Sequence, residues 1–291
     1  MELRQLRYFL KAKELLNFTE AAHALNISQS TLSQQIKQLE DQIRVPLFNR
    51  IGKRISLTEA GTLFAEYALQ SVNRADDGLL LLEDLNNLKT GKINIGVTFA
   101  LRNVLTKTLI LFAQQYPKVK VCIVFGTSDE LIEKLSAAEL DLVLTFKEDS
   151  KDTQFRQELL FSSPLTLVAA ERTGLASRRS ISLEEITRLP LALPATGYST
   201  TRFITEAFKR KGLHPDVSIE INDIPTLLAI VKTGSWHTIL TKVSVVDQDL
   251  ITIPIEGKKM SRSAMAIWLN DAYPKKAMLA FLKLLKAENN L

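Results

Sequence analysis

Apolar residues recur at helical spacing from Leu3 to Leu88. Leu3, Leu6, Phe9, Leu10 and Ala12 fall at steps of three and four, as in a helix with one apolar face. After Gly91 the rhythm changes to short apolar runs rich in Val, Ile and Thr. They are Lys92–Val97, Val119–Val124, Asp141–Thr145, Leu165–Ala170, Val217–Ile221, Trp236–Leu240, Leu250–Ile255 and Ala264–Leu269. Helix-length segments separate them, which predicts parallel strands with crossover helices, an α/β body. The boundary between an all-helical head and this body falls near Lys89-Thr90-Gly91. By eye there is no low-complexity tract and no internal repeat of the kind that marks a solenoid.

Within the head, Thr19 is placed to cap a helix over Glu20–Leu25, and Ala21, Ala22 and Ala24 keep that helix slim enough for another to approach closely. Asn26 and Ile27 break the pattern, and Ser28 caps a second helix, Gln29–Leu39. Leu32, Ile36 and Leu39 share one face of it. Gln29, Ser30, Ser33 and Lys37 share the other, with Thr31 and Gln34 at the margins. Small hydrogen-bonding side chains at the start of such a helix suit entry into a major groove, where Gln and Ser reach base edges and phosphates. On polarity alone, the solvated face of any small bundle fits better. The next segment reverses that balance. Val45-Pro46-Leu47-Phe48-Asn49-Arg50 leads through Ile51-Gly52-Lys53-Arg54 to Ile55-Ser56-Leu57-Thr58, a glycine turn between two short extended pieces. This predicts a wing whose Arg50, Lys53 and Arg54 lie beside a duplex, against phosphate or the minor groove.

The ordered set Phe18-Thr19-Glu20-Ala21-Ala22, Ser28 through Ile36, Leu39-Glu40, Pro46-Leu47-Phe48-Asn49-Arg50 and Leu57-Thr58-Glu59-Ala60-Gly61 resembles the N-terminal winged helix-turn-helix of LysR-type transcriptional regulators. Two residues depart from that pattern. Arg44 stands where the family usually has a helix-ending glycine, and Ser30 where proline or another small residue is common. The remaining residues have the length and pattern of the family's regulatory half, a weaker match.

Thr58 caps the next predicted helix, with Glu59 in its first turn. Leu63, Phe64, Tyr67, Ala68, Ser71, Ala75, Gly78, Leu82, Leu85 and Leu88 approximate a seam at steps of three and four. Such a seam either packs on the chain's own body or is covered by another chain. The resemblance implies the second: a linker helix pairing antiparallel with a second subunit, so that two recognition helices meet a two-fold operator. Leu63, Tyr67, Leu82 and Leu85 are its candidate dimer contacts.

By the same resemblance, residues 1–60 form the winged helix-turn-helix and 61–90 the linker helix. Residues 91–291 form an effector-binding domain of two Rossmann-like subdomains, like those of periplasmic solute-binding proteins. The first covers about 91–162 and 264–291, the second about 163–263. Ligands in open α/β sheets sit beyond the carboxyl ends of strands. That rule selects Thr98 and Phe99, then Thr127 and Ser128, then Thr145 and Phe146. From the second subdomain it adds Thr196, in Pro194-Ala195-Thr196-Gly197, ahead of a helix capped by Ser199 or Thr200. Thr98 and Thr127 match positions where family members bind ligand carboxylates, which makes a small carboxylate the expected effector. Ordinary helix capping explains any one of these hydroxyls equally well. Thr241 replaces a usual proline and Trp236 is bulky, so the family's pocket shape does not carry over to this stretch.

Composition narrows the function classes. The 291 residues carry one cysteine, Cys122, which excludes an intramolecular disulfide or a multi-cysteine metal site. It is expected to be a small buried hydrophobe in mid-strand. No apolar run has the length of a membrane span, and the first residues show no secretory signal, so the cytoplasm is expected. Net charge is +5, with nine Lys/Arg against six Asp/Glu in residues 1–60 and two against five in 61–90. A basic head before an acidic helix suits DNA binding by the head alone. His23, His214 and His237 are far apart and form no metal motif. No nucleophile elbow, phosphate loop or dinucleotide turn occurs. An enzyme is not expected, nor a cofactor or metal. The reading is a homo-oligomeric regulator that binds double-stranded DNA as dimer or tetramer under a small-molecule effector. RNA polymerase is a further partner by resemblance. An architectural DNA-binder with an insensitive body, or an α/β solute-binding protein, are the alternatives.

Overall fold

The computed structural model describes residues 1–51, 54–86, 91–146, 153–257 and 259–288. Lys53, Leu88, Lys89 and Thr90 lie outside them, as do the side chains of Arg54 and Leu85. The chain forms two compact units, Met1–Asn86 and Asn87–Leu291. Among the described residues no helix is long and apolar enough to cross a membrane.

The head contains α1 (Leu3–Leu15), α2 (Phe18–Ala24), α3 (Gln29–Ile43), the hairpin β1 (Phe48–Ile51) and β2 (Arg54–Leu57), and α4 (Glu59–Asn86). Its core gathers Leu6, Phe9, Ala21, Ala22, Leu32, Ile36, Leu39, Leu47 and Phe48. Phe9 packs tilted against both Phe48 and Phe64, each at 5.4 Å between ring centroids. The cap of α2 is Asn17 rather than Thr19. Asn17 Oδ1 accepts the N–H groups of Thr19 (2.9 Å) and Glu20 (3.3 Å). Burial of Phe18 explains the shift, because that residue is already helical and the helix must open before it. Ser28 caps α3 as expected, its Oγ accepting the Thr31 N–H at 3.1 Å. The helix runs to Ile43, beyond the predicted Leu39, and Arg44 ends it with φ 57°. Glycine adopts that left-handed backbone freely, whereas a side chain there costs roughly 1 kcal/mol or more.

The body runs β3 (Gly91–Thr98), α5 (Arg102–Gln115), β4 (Val119–Gly126), α6 (Ser128–Ser136), β5 (Leu142–Phe146), β6 (Phe155–Ala170), α7 (Leu183–Ile186), β7 (Leu191–Pro194), α8 (Ser199–Arg210), β8 (Val217–Ile221), α9 (Ile224–Lys232), β9 (Thr238–Thr241), β10 (Leu250–Pro254), β11 (Ser261–Leu269) and α10 (Lys276–Glu288). Its main sheet has the order β10-β6-β11-β5-β3-β4, with β9 also on β6, while β7 and β8 pair separately. The expectation of parallel strands throughout is corrected. β3 pairs parallel with β4 and β5, and β7 with β8, but β6, β9, β10 and β11 pair antiparallel. The sequence hid this because the first half of β6 flanks the short run Leu159-Leu160-Phe161 with Arg156, Gln157, Glu158, Ser162 and Ser163. The short strand β7 also went unpredicted.

β6 changes partners along its length. It pairs with β11 through Pro164, then with β9 and β10 from Leu165 onward. Proline donates no N–H, so it fits at such a changeover. One apolar cluster holds Ile93, Ile95, Phe112, Leu142 and Phe281; another holds Leu165, Leu167, Ile204, Phe208 and Ile239.

Candidate functional site

In α3 the buried row Leu32, Ile36 and Leu39 anchors the helix to the head and turns its opposite face outward. Ser28, Gln29, Ser30, Thr31, Gln34 and Lys37 are exposed, while Ser33 is half-buried. Hydrogen bonds order this surface before any ligand arrives. Ser28 Oγ lies 2.8 Å from Ser30 Oγ and 2.7 Å from Thr31 Oγ1, and Gln29 Nε2 donates to Ser33 Oγ at 2.9 Å.

The hairpin forms the predicted wing, with Phe48 opposite Leu57 and Arg50 opposite Ile55. Arg50, expected beside a duplex, makes two contacts within the head. Its Nη2 donates to Glu40 Oε2 at 3.1 Å, and its guanidinium lies 5.3 Å from the Phe18 ring centroid. Glu40 also accepts the backbone N–H groups of Leu47 (2.8 Å) and Phe48 (3.1 Å) through Oε1. Sequence reasoning gave Glu40 no role; its spacing of ten residues before Arg50 carries no helical or strand signal.

The single seam predicted on α4 resolves into two faces. Phe64, Ala65, Ala68 and Val72 pack into the head's own core, Phe64 partly exposed. Leu63, Tyr67, Leu79 and Leu82 are each more than half exposed. The start of α4 is fixed tightly. Thr58 Oγ1 accepts the Gly61 N–H (2.9 Å) and donates to the Pro46 carbonyl (2.8 Å). A Cβ on Gly61 would fall 2.1 Å from the Leu47 carbonyl oxygen, so only glycine fits this approach.

In the body, the parallel strands β3, β4 and β5 end side by side, which brings Thr98, Thr127, Ser128 and Phe146 to one edge. Their hydroxyls are committed to the protein. Thr98 Oγ1 donates to the Leu144 carbonyl (3.5 Å), and Ser128 Oγ lies 2.7 Å from Thr145 Oγ1. Thr127 accepts the Glu130 N–H (3.4 Å), while its own N–H, donated to Glu130 Oε2 at 2.8 Å, holds that carboxyl below its usual pKa. Helix capping is thus the structural role of Thr127. Phe146 is buried in the core, and Phe99 stacks on Phe125 at 5.3 Å.

Thr196 is exposed at the end of β7, and the adjacent Gly197 lies against the Thr127 methyl group. The predicted cap of α8 is corrected: Tyr198 occupies that position without a side-chain capping bond, its hydroxyl donating to the Asn222 carbonyl instead. Ser199 is turned away instead, its Oγ donating to the Phe146 carbonyl at 3.2 Å, and Thr200 is buried inside the helix. Trp236 is half-buried beside the cluster around Leu227 and Val231. Cys122 is half-buried rather than buried, because β4 is the sheet's edge. Arg262 was also missed. It precedes the predicted Ala264–Leu269 run, but the strand begins at Ser261 and carries the guanidinium into the interior, where Nη2 donates to the Phe146 carbonyl at 3.1 Å.

Residues 3–62 match the family described as bacterial regulatory helix-turn-helix protein, lysR family, and residues 86–290 the LysR substrate binding domain. The HTH-type transcriptional regulator BsdA of Bacillus subtilis (strain 168) is 30% identical over 291 residues, covering 98% of this chain and 100% of its own. The HTH-type transcriptional activator CmpR of Synechocystis sp. (strain ATCC 27184 / PCC 6803 / Kazusa) is 29% identical, with 88% of this chain and 85% of its own covered. A full-length OxyR from Pseudomonas aeruginosa with a cysteine-to-aspartate change has a TM-score of 0.80 at 20% identity, covering 98% of this chain and 95% of its own. Full-length CbnR complexed with its target DNA has a TM-score of 0.69 at 21% identity, covering 99% of both chains. The family is one of transcriptional regulators, not of enzymes. The chain therefore belongs to the LysR family, as a DNA-binding transcriptional regulator whose helix-turn-helix head is joined to an effector-binding body.

Proposed function

We propose that the exposed start of α3 reads base edges in the major groove of an operator. The roles fall to Ser28, Gln29, Ser30, Thr31, Ser33, Gln34 and Lys37, with Arg50, Lys53 and Arg54 beside the phosphates. The observation that carries this reading is the placement of six exposed polar residues over a fully buried Leu32, Ile36 and Leu39. Two copies, paired as a dimer or assembled as a tetramer through Leu63, Tyr67, Leu82 and Leu85, present two such faces to a two-fold site. A small carboxylate entering at the edge that holds Thr98, Phe99, Thr127, Ser128, Phe146 and Thr196 shifts the population between two assembled states. The division of the body into lobes near residues 162/163 and 263/264 belongs to this reading, and the partner change in β6 at Pro164 supports it. RNA polymerase is the partner of such an operator-bound assembly, and the cytoplasm its compartment.

Selection of duplexes from a random pool by the full-length protein tests the central claim. Enrichment of a two-fold motif whose preference relaxes in Gln29→Ala supports it. A pool that stays random at physiological salt overturns it.

A further inference from the structure

The outward row of α3 continues past the residues assigned to DNA above. Ser30, Lys37 and Arg44 follow one another at steps of seven, so they lie along one line of the helix, about 10 Å apart. Arg44 is the residue that ends α3, with φ 57°. Glycine enters that left-handed backbone freely and arginine does not, so the helix end gains nothing from the side chain's Cβ. The side chain does not serve the fold by bonding either. Among the described residues neither Arg44 nor Lys37 makes a hydrogen bond or an ion pair, and both are exposed. A surface concavity of about 550 Å³ opens beside them, lined also by Glu40, Asp41 and Arg50. Glu40 is occupied there, Oε2 by Arg50 and Oε1 by the Leu47 and Phe48 N–H groups. Asp41 is exposed and stands between Lys37 and Arg44 in the sequence, where it offsets one of their two charges. The concavity therefore keeps an excess positive charge, carried by cations that the fold leaves unused.

We infer that Arg44 is a further contact to the DNA backbone, its guanidinium pairing with a phosphate of the duplex whose bases α3 reads. The planar fork of donors suits two phosphate oxygens at once. With Lys37 on the same row and Arg50 on the same concavity, the contact extends the line of cations from the middle of α3 to the base of the wing. It adds affinity and fixes register, and it carries no sequence information. The inference rests on the reading of α3 and the wing as the DNA-facing surface, and adds to that surface a residue at the far end of the helix. The competing role is purely local: the negative end of the helix dipole favours any cation at this position.

The test follows binding of the full-length protein to a random-sequence duplex and to a selected one, by anisotropy over a series of salt concentrations, for Arg44→Gln, Arg44→Gly, Arg44→Lys and Lys37→Gln. Loss of one phosphate contact lowers the magnitude of the slope of log affinity against log salt by about 0.9. Arg44→Gln and Arg44→Gly should both show that drop, and should weaken the two duplexes by the same factor. Arg44→Lys keeps the charge and should keep the native slope. Thermal melts accompany the titrations. Arg44→Gly should melt no lower than the native protein, because glycine suits the left-handed backbone, so its weaker binding is not a folding defect. A native slope in Arg44→Gln, or a weakening confined to the selected duplex, overturns the proposal; a native slope together with a lower melting temperature leaves Arg44 as a helix-end cation only. Lys37→Gln separates the two readings. A drop there with none in Arg44→Gln keeps α3 as the DNA-facing helix and removes Arg44, whereas no drop in either variant removes both.

Discussion

Glu40 ties Arg50 to α3. One carboxylate oxygen accepts from the guanidinium at 3.1 Å while the other accepts the Leu47 and Phe48 N–H groups where the chain enters the wing. The ion pair, with its Arg50 end exposed, by itself contributes little. The backbone bonds matter more, because Leu47 and Phe48 are buried residues.

Glu40→Ala therefore leaves two N–H groups without their acceptor, at a cost of about 1–3 kcal/mol for a buried donor. Glu40→Gln retains one amide oxygen to accept them and should lose less. Urea denaturation of both variants checks the order; equal stability of Glu40→Ala and the native protein would sink the assignment.

On the reading face, Gln29→Ala and Ser33→Ala should each relax sequence preference by about 1–3 kcal/mol per well-formed base contact, with the fold intact. The two side chains share a 2.9 Å hydrogen bond. Their effects should consequently be non-additive. Anisotropy titrations with selected and random duplexes measure this, and a double variant that still discriminates them fully contradicts the assigned face.

Leu79→Asp with Leu82→Asp puts two charges on the exposed apolar side of α4 and leaves Ala65, Ala68 and Val72 untouched. The assembly should dissociate while the head stays folded. Light scattering that returns the native mass would reject this face as the interface.

His237 gives the body a pH dependence. It is buried just before β9, and that burial pushes its pKa below the ordinary value, against a weaker upward pull from the Pro190 carbonyl. The unfolded chain then binds a proton first as pH falls through about 6.5, so stability drops on acidification by at most about 1.4 kcal/mol per pH unit. His237→Asn should flatten the change. Thermal melts of the native protein and the variant at pH 7.5 and 5.5 decide it, and parallel losses in both would assign the effect elsewhere.

The head was legible because its signals are local. The Leu32, Ile36 and Leu39 spacing and the Ser28 cap act within one or two turns. Asn17 and Thr19 are both good caps two residues apart, and only the burial of Phe18 chooses between them. In the body, contacts between distant residues decide. β6 is a strand because β11, β9 and β10 bind it, although its first half carries no alternation. Thr127 and Ser128 were correctly placed at a strand end, but what their hydroxyls bond is set by Glu130 and Thr145, which the residue types alone left open. Arg262 was hidden for the same reason, since its surroundings come from β5 and α8.

The close seating of Gly61 on the Leu47 carbonyl removes any slack between wing and long helix. With Thr58 bonded to Pro46 on the same turn, the head and the start of α4 are coupled at two points. In a dimer joined along α4, the distance between half-sites then becomes a ruler cut into the protein. An operator lengthened by half a helical turn would have to bend or be let go.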